Sequence, residues 1–221
     1  VIEEGADFGV VVDPDVDRLV FMMEDGELFG EEYTLVAVAD YLLQHKKGNT
    51  VSNLSSTRAL RDVTKAHGGE YFAAAVGEVN VVTKMKEVDA VIGGEGNGGV
   101  IYPASHYGRD ALVGVAIFLT HLAKLGKKVS EYRASLPQYF MSKNKITLTP
   151  ELDIDNLLAK MEEKYKHEEH STIDGLKIDL KRSGCIFVSL IQNRLSAYIL
   201  KDQLRKLRNR LRRRLSARSK K

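Results

Sequence analysis

Cysteine is nearly absent from this chain: Cys185 is the only one in 221 residues. That excludes an internal disulfide framework and fits a reducing cytosol. No apolar run approaches the roughly 20 residues needed to span a bilayer, and no signal-peptide pattern opens the chain. A membrane partner is therefore not expected, and a cytoplasmic location is. No internal repeat is present, and His45, His67, His121, His167 and His170, five of the six histidines, show no metal-ligand spacing. What remains is ordinary for a globular protein, with 43% hydrophobic and 29% charged residues in a length that suits one large domain or two small ones. The chain opens on Val1 rather than methionine, so a trimmed start or a piece of something longer is expected.

Charge is distributed unevenly. Residues 201–221 hold eleven Lys or Arg against Asp202 alone, while the whole chain carries only +3; the body is therefore acidic. Leu204, Leu207, Leu211 and Leu215 make a narrow apolar stripe at helical spacing within that tail. A basic amphipathic helix can bind nucleic acid, an anionic membrane or an acidic partner. A tail whose charge has no selected role is preferred here, and nucleic acid is not an expected partner.

Hydrophobic period gives the coarse organisation. Residues 8–12 and 19–23 read as strands around an acidic loop, followed by an Asp25-Gly26 turn. A helix is expected over 31–44 and a strand over 50–54. Ser55-Ser56-Thr57 offers an N-cap for a helix ending at Gly68-Gly69. A strand over 70–76, a helix over 80–87, a strand over 89–92, a glycine-rich loop and a strand over 100–102 come next. Helices follow over 110–125 and 130–136. Beyond these, a strand over 145–148, a helix over 154–166 and a hairpin around Asp174-Gly175 suggest a separate small unit. Strands alternating with helices imply an α/β layer fold: a three-layer α/β/α domain with a mixed, mostly parallel sheet, followed by a small α+β domain.

Two loops carry the chemistry. Asp13, Asp15 and Asp17 alternate with non-ligating Pro14 and Val16, and Arg18 closes the set. In an extended or tightly turned loop, residues i, i+2 and i+4 point the same way, so three carboxylates would converge. Hard oxygen ligands favour Mg²⁺ or Ca²⁺, and the adjacent Arg18 suits a phosphate. The competing reading is a solvated turn, which Pro14 fits; an EF-hand is excluded by the missing glycine and distal glutamate. The second loop, Gly93 to Gly99, has five glycines around Glu95 and Asn97. A carboxylate and an amide at i and i+2 suit two adjacent sugar hydroxyls, against the alternative of a flexible turn. It matches neither the dinucleotide fingerprint nor the P-loop.

In order and spacing, these motifs resemble the α-D-phosphohexomutase family. That family's metal loop typically reads Asp-Gly-Asp-Gly-Asp-Arg, where this chain has Asp13-Pro14-Asp15-Val16-Asp17-Arg18. Its sugar loop reads Gly-Glu-x-Ser-Gly-His, where this chain has Gly94-Glu95-Gly96-Asn97-Gly98-Gly99. The stretches Val51 to Ser56, Val76-Gly77-Glu78 and Gly108-Arg109-Asp110 are also similar to its third domain. The resemblance covers about residues 1–140. It implies that Asp13, Asp15 and Asp17 hold Mg²⁺, that Arg18 is catalytic beside the reacting phosphate, and that Glu95, Asn97, Gly98 and Arg109 bind substrate. It implies residues 1–27 as the end of domain two with the metal loop, 28–141 as domain three, and 142–221 as a partial or altered domain four with the basic tail. The implied reaction moves a phosphoryl group between the 1- and 6-positions of a hexose or hexosamine phosphate, through an enzyme phosphoserine and a bisphosphate. Upstream domains of the same parent protein are the implied partners.

Departures from the pattern shape the expectation. Only twelve residues precede Asp13, so the family's upstream phosphoserine loop is absent. Ala104-Ser105-His106 imitates it superficially, but Tyr107-Gly108 stands where Asn-Pro is required; Ser105 reads as a surface-loop residue. Asn97 and Gly99 replace serine and histidine in the sugar loop, which bears on the choice of sugar. After Leu180 the family's phosphate-binding pattern is missing, as a shifted reading frame or a divergent replacement would produce. The isolated chain is accordingly expected to bind without turnover. Two rivals stand beside this reading: a binding module with a nucleic-acid-binding tail, and a Mg²⁺-dependent sugar-phosphate phosphatase with an aspartate nucleophile. An Asp-x-Asp after a strand resembles haloacid-dehalogenase-type phosphatases, whose following signature is not evident here.

Overall fold

A computed structural model describes residues 1–147, 153–180, 183–190 and 194–202. The chain opens with the antiparallel pair β1 (Phe8–Val12) and β2 (Leu19–Met23). The next elements are α1 (Glu31–His45), β3 (Asn49–Asn53), α2 (Ala59–Ala66), β4 (Tyr71–Ala74), α3 (Glu78–Glu87), β5 (Ala90–Gly94) and β6 (Val100–Ile101). Two helices follow, α4 (Ala111–Leu125) and α5 (Val129–Ser135). β3 to β6 form a four-stranded sheet of order β4-β3-β5-β6. The β3 pairings with β4 and β5 are parallel, and only the edge strand β6 is antiparallel. The mixed, mostly parallel sheet expected from the sequence is therefore present.

Two core clusters lie against this sheet. One joins Leu19 and Phe21 of β2, Leu35 to Ala39 of α1, Leu60 of α2, Phe118 of α4 and Tyr132 of α5. The other packs Val81 and Met85 of α3 on Val51, Ala74, Ala90 and Ile101. Consecutive residues Val100 and Ile101 belong to opposite clusters, as the two-residue period of a strand requires. α4 is bounded by Asp110, whose side chain accepts from the Val113 amide at 3.0 Å, and by Gly126 in the left-handed region.

A second sheet is antiparallel, of order β7-β11-β10-β9-β8. It comprises β7 (Tyr139–Thr147), β8 (Glu169–Ser171), β9 (Leu176–Asp179), β10 (Ser183–Leu190) and β11 (Arg194–Asp202), with α6 (Ile154–Lys164) between β7 and β8. β7 starts six residues before the expected Lys145, and β10 and β11 lie where the sequence reading expected no strand. The hairpin around Asp174-Gly175 is present, with Gly175 at φ 75°. The apolar stripe of Leu204, Leu207, Leu211 and Leu215 lies outside the described residues. Among the described residues no helix is long and apolar enough to cross a membrane.

The two units meet through specific polar contacts. Asp174 accepts from the Val76 amide at 2.9 Å. Arg58, 6% exposed, donates to Asp179 and to the Leu180 and Ser183 carbonyls. Asp40 makes a further polar knot inside the first unit. Its carboxylate lies 2.8 Å from His67 Nε2, accepts from Tyr132 Oη at 3.0 Å, and has His121 Nε2 at 3.7 Å. Burial works to raise the acid's pKa, but His121, His67 and Tyr132 outweigh it and hold Asp40 below the usual carboxylate range. A depressed acid contributes stability above its unfolded pKa, near 3.9. That stability is lost as pH falls below this value through the folded pKa. Urea midpoints are expected to drop more steeply below about pH 4 in the wild type than in Asp40→Asn; parallel pH profiles would contradict this.

Candidate functional site

The loop between β1 and β2 is held by its own carboxylates. Asp13 Oδ1 accepts from the amides of Asp17 and Arg18, each at 3.2 Å, and Asp13 Oδ2 accepts from Arg18 Nε at 2.7 Å. Desolvation is the largest single influence and works against the charge, but the amides of Arg18 and Asp17 and their side chains together outweigh it and hold the Asp13 carboxyl below its ordinary range. The Asp13 carboxylate in turn raises the Arg18 guanidinium. Asp15 is exposed. Asp17 lies with Oδ2 2.5 Å from Arg109 Nη2, while Oδ1 is buried without a hydrogen-bond partner, 3.4 Å from Arg18 Nε.

Val16 sits at φ 56°, a conformation that suits glycine. The Val16 carbonyl accepts the Ala111 amide at 3.2 Å, so this residue ties the loop to the first turn of α4. A β-branched residue here is strained by roughly 1–2 kcal/mol, against about 0.5–1 kcal/mol of chain entropy that glycine would lose on folding. Val16→Gly is therefore expected to raise stability by up to about 1 kcal/mol; a lowered urea midpoint would contradict it.

The glycine-rich loop lies directly alongside. The Leu19 amide donates to the Gly98 carbonyl at 3.1 Å, and the Glu95 amide donates to Gly99 at 3.0 Å. Gly98 has φ 90°, and a Cβ there would meet Leu19 O at 2.4 Å, so the two loops touch only because this residue is glycine. Glu95 is 5% exposed; its Oε1 accepts from Asn53 Nδ2 at 2.9 Å and its Oε2 from Arg109 Nη1 at 2.8 Å. Asn97 accepts the Gly99 amide at 3.2 Å. Arg109 also has Nε 3.2 Å from Glu78 Oε2, and its amide donates to Glu78 Oε1 at 3.1 Å.

Asp13, Asp17, Arg18, Glu95, Asn97, Gly98 and Arg109 are thus brought into one neighbourhood at the C-terminal end of β5. The expected convergence of three carboxylates is not what the side chains do: among the described residues, no three His, Cys, Asp or Glu side chains are grouped to hold a metal ion. Asp13 and Asp17 turn instead to Arg18 and Arg109. The donor set still suits a hard cation, because all three side chains are carboxylates and Asp17 Oδ1 is a buried acceptor with nothing donating to it. Ser105 is exposed.

Sequence reasoning assigned no role to Asn53, Glu78 or Arg58. Asn53 Oδ1 accepts from the hydroxyls of Ser55 and Ser56 at 3.1 and 2.6 Å, so these serines brace Asn53 and do not cap α2. The residue before that helix is Arg58, whose own side chain does not cap it, while Thr57 Oγ1 accepts the Ala59 amide at 3.3 Å. The similarity of Val51 to Ser56 and of Val76 to Glu78 to the family's third domain was the available signal for Asn53 and Glu78.

Comparison with known proteins bears on the family and the fold. A family model, the phosphoglucomutase/phosphomannomutase alpha/beta/alpha domain III, matches residues 30–140. A phosphoglucomutase/phosphomannomutase of Thermococcus kodakarensis is 37% identical over 177 residues, covering 79% of this chain and 38% of its own length. The chain spans about two fifths of the curated relatives it matches. A phosphoglucomutase/phosphomannomutase family protein from Burkholderia thailandensis superposes with a TM-score of 0.77 at 26% identity, over 98% of this chain and 49% of that one. An N-acetylphosphoglucosamine mutase from Aspergillus fumigatus, solved with GlcNAc-6P and magnesium, shares the fold. Its TM-score is 0.61 at 11% identity, over 94% of this chain and 47% of that one.

Proposed function

Because this chain belongs to the phosphoglucomutase/phosphomannomutase family, we propose that it is the C-terminal part of a phosphohexomutase. The parent enzyme interconverts the 1- and 6-phosphates of a hexose or hexosamine, using a phosphoserine supplied from outside these 221 residues. In this reading residues 1–27 end domain two, 28–141 form domain three, and 142–221 are a partial or altered domain four. The observation that carries it is the joining of two loops of different chemistry, carboxylate and hydroxyl-binding, through Arg109.

Asp13, Asp15 and Asp17 would hold Mg²⁺, which when bound neutralises charge on a transferring phosphoryl. Arg18, whose side chain is 48% exposed, presents its guanidinium to the phosphate. Glu95 and Asn97 contact adjacent sugar hydroxyls, and Gly98 lets the loop approach closely. Arg109 flanks the sugar. Hydroxyls common to both orientations of the sugar are read by one loop, so the substrate can reverse end for end while its phosphates exchange places.

The test is an assay of 1- to 6-phosphate interconversion on glucose, mannose and glucosamine phosphates. Two proteins are compared: the isolated chain, and the protein read from the natural transcript through both ends of this segment. The isolated chain should be inactive. The longer protein should be active and lose activity with Glu95→Gln. Turnover by the isolated chain, or full activity in the longer Glu95→Gln variant, would overturn the proposal.

A further inference from the structure

We propose that Arg109 is a positioning residue that couples the metal loop to the sugar loop, and that it fills the space Gly99 leaves by carrying no side chain. The inference rests on the reading of Asp13, Asp15 and Asp17 as a cation site. Its basis is a three-way division of one guanidinium. Nη2 faces Asp17 of the metal loop at 2.5 Å, Nη1 donates to Glu95 of the sugar loop at 2.8 Å, and Nε lies 3.2 Å from Glu78 at the start of α3 as an ion pair without a hydrogen bond. A planar fork can serve three carboxylates in fixed directions, which a lysine ammonium cannot.

Each carboxylate keeps a distinct second task. Asp17 Oδ1 is buried and receives no hydrogen bond, Glu95 Oε1 is held by Asn53, and Glu78 Oε1 accepts the Arg109 amide. Arg109 therefore fixes Asp17 through one oxygen; the other has only Arg18 Nε near it, at 3.4 Å and without a hydrogen bond, and is the acceptor a cation would take. The same guanidinium fixes the orientation of Glu95. Position 99 explains how the side chain fits. A Cβ on residue 99 would lie 2.5 Å from Arg109 Cδ, so Arg109 in this place and any side chain at 99 exclude each other. The histidine that the resemblance leads one to expect at position 99 is replaced by glycine, and Arg109 supplies the polar group beside Glu95.

Coupling has a thermodynamic signature. When Glu95 loses its charge, Arg109 leans more on Asp17 and competes harder with a cation for that carboxylate. Titration of the full chain with Mn²⁺ alone, by calorimetry, tests this in wild type, Glu95→Gln, Arg109→Gln and the double variant. Glu95→Gln is expected to weaken Mn²⁺ about fivefold in the wild-type background and by less than about twofold once Arg109 is glutamine. Arg109→Lys should behave like Arg109→Gln. Gly99→Ala leaves all charges in place and crowds the arginine stem first, at 2.5 Å, with Asn97 Oδ1 next at 3.2 Å, and it should also shrink the Glu95 effect; it serves as the readout if the Arg109 variants fail to fold. Equal Glu95 effects in both backgrounds, or wild-type coupling in Arg109→Lys or Gly99→Ala, would overturn the coupling alone. No Mn²⁺ binding by the wild-type chain would overturn the cation site and the coupling with it.

Discussion

Replacing Phe118 with alanine is expected to destabilise the protein by about 4 kcal/mol, the usual cost of removing a fully buried phenylalanine. Phe118 is 0% exposed and stacks on Phe21 with ring centroids 3.8 Å apart and planes 14° from parallel. Phe29 meets its ring edge-on at 5.3 Å, and Phe8 at 6.1 Å. These contacts fasten β1 and β2 to α4, and the loop of Asp13, Asp15 and Asp17 hangs between those two strands. The loss should therefore be felt there: amide exchange at Asp17 and Arg18 is expected to rise in Phe118→Ala beyond what the global change accounts for. Phe118→Leu keeps most of the volume and should cost less than about 1.5 kcal/mol. Urea unfolding of both variants checks the order; similar costs for the two would show that the stack contributes little.

Arg58→Met is expected to cost about 3 kcal/mol, because it breaks a buried ion pair from one side only. The guanidinium is 6% exposed and ends on Asp179 and on the Leu180 and Ser183 carbonyls, at the end of β9 and the start of β10. Lys177 Nζ, 3.4 Å from Asp179, remains as a partial partner, but the Leu180 and Ser183 carbonyls lose a donor. Burial already lowers the Lys177 pKa, with Asp179 opposing that shift, so the ammonium is a poor replacement. The neighbouring Arg61 contacts Asp62 at 3.6 Å with its side chain 24% exposed, and Arg61→Met should cost less than about 1 kcal/mol. Limited proteolysis distinguishes the two. Arg58→Met should expose the antiparallel unit to cleavage while α1 to α4 stay protected; uniform resistance would contradict the latch.

The parts of the fold that could be read in the sequence are those with local causes. α1 and α4 fall within a residue of their expected limits, because apolar period, the Asp110 cap and Gly126 all act within a few residues. Of Ser55 to Thr57 only Thr57 meets the helix it was expected to cap, accepting the Ala59 amide at 3.3 Å; the serines misled because their partner lies before it. The two serines turn back to Asn53, and the Thr57 amide goes to Glu32, 25 residues away. β10 and β11 escaped notice for a related reason. β11 pairs with β7, some fifty residues earlier, and nothing local announces that register.

The candidate site divides in the same way. Asp13, Asp17, Arg18, Glu95, Asn97 and Arg109 were all named from motif and order, and they are neighbours in the fold. How they are arranged was not legible. Alternation within a loop says which way side chains can point, but Asp13 and Asp17 follow the nearest guanidinium. For Asp17 that guanidinium comes from Arg109, more than ninety residues later.

The central claim is that the loop of Asp13, Asp15 and Asp17 is a divalent-cation site beside a sugar-binding loop. Anomalous diffraction from crystals of the chain soaked in manganese chloride tests it most directly. The account predicts a manganese peak within coordination distance of these aspartates and its loss in Asp17→Asn. A well-ordered loop with no peak, or a peak that survives Asp17→Asn unchanged, would contradict it.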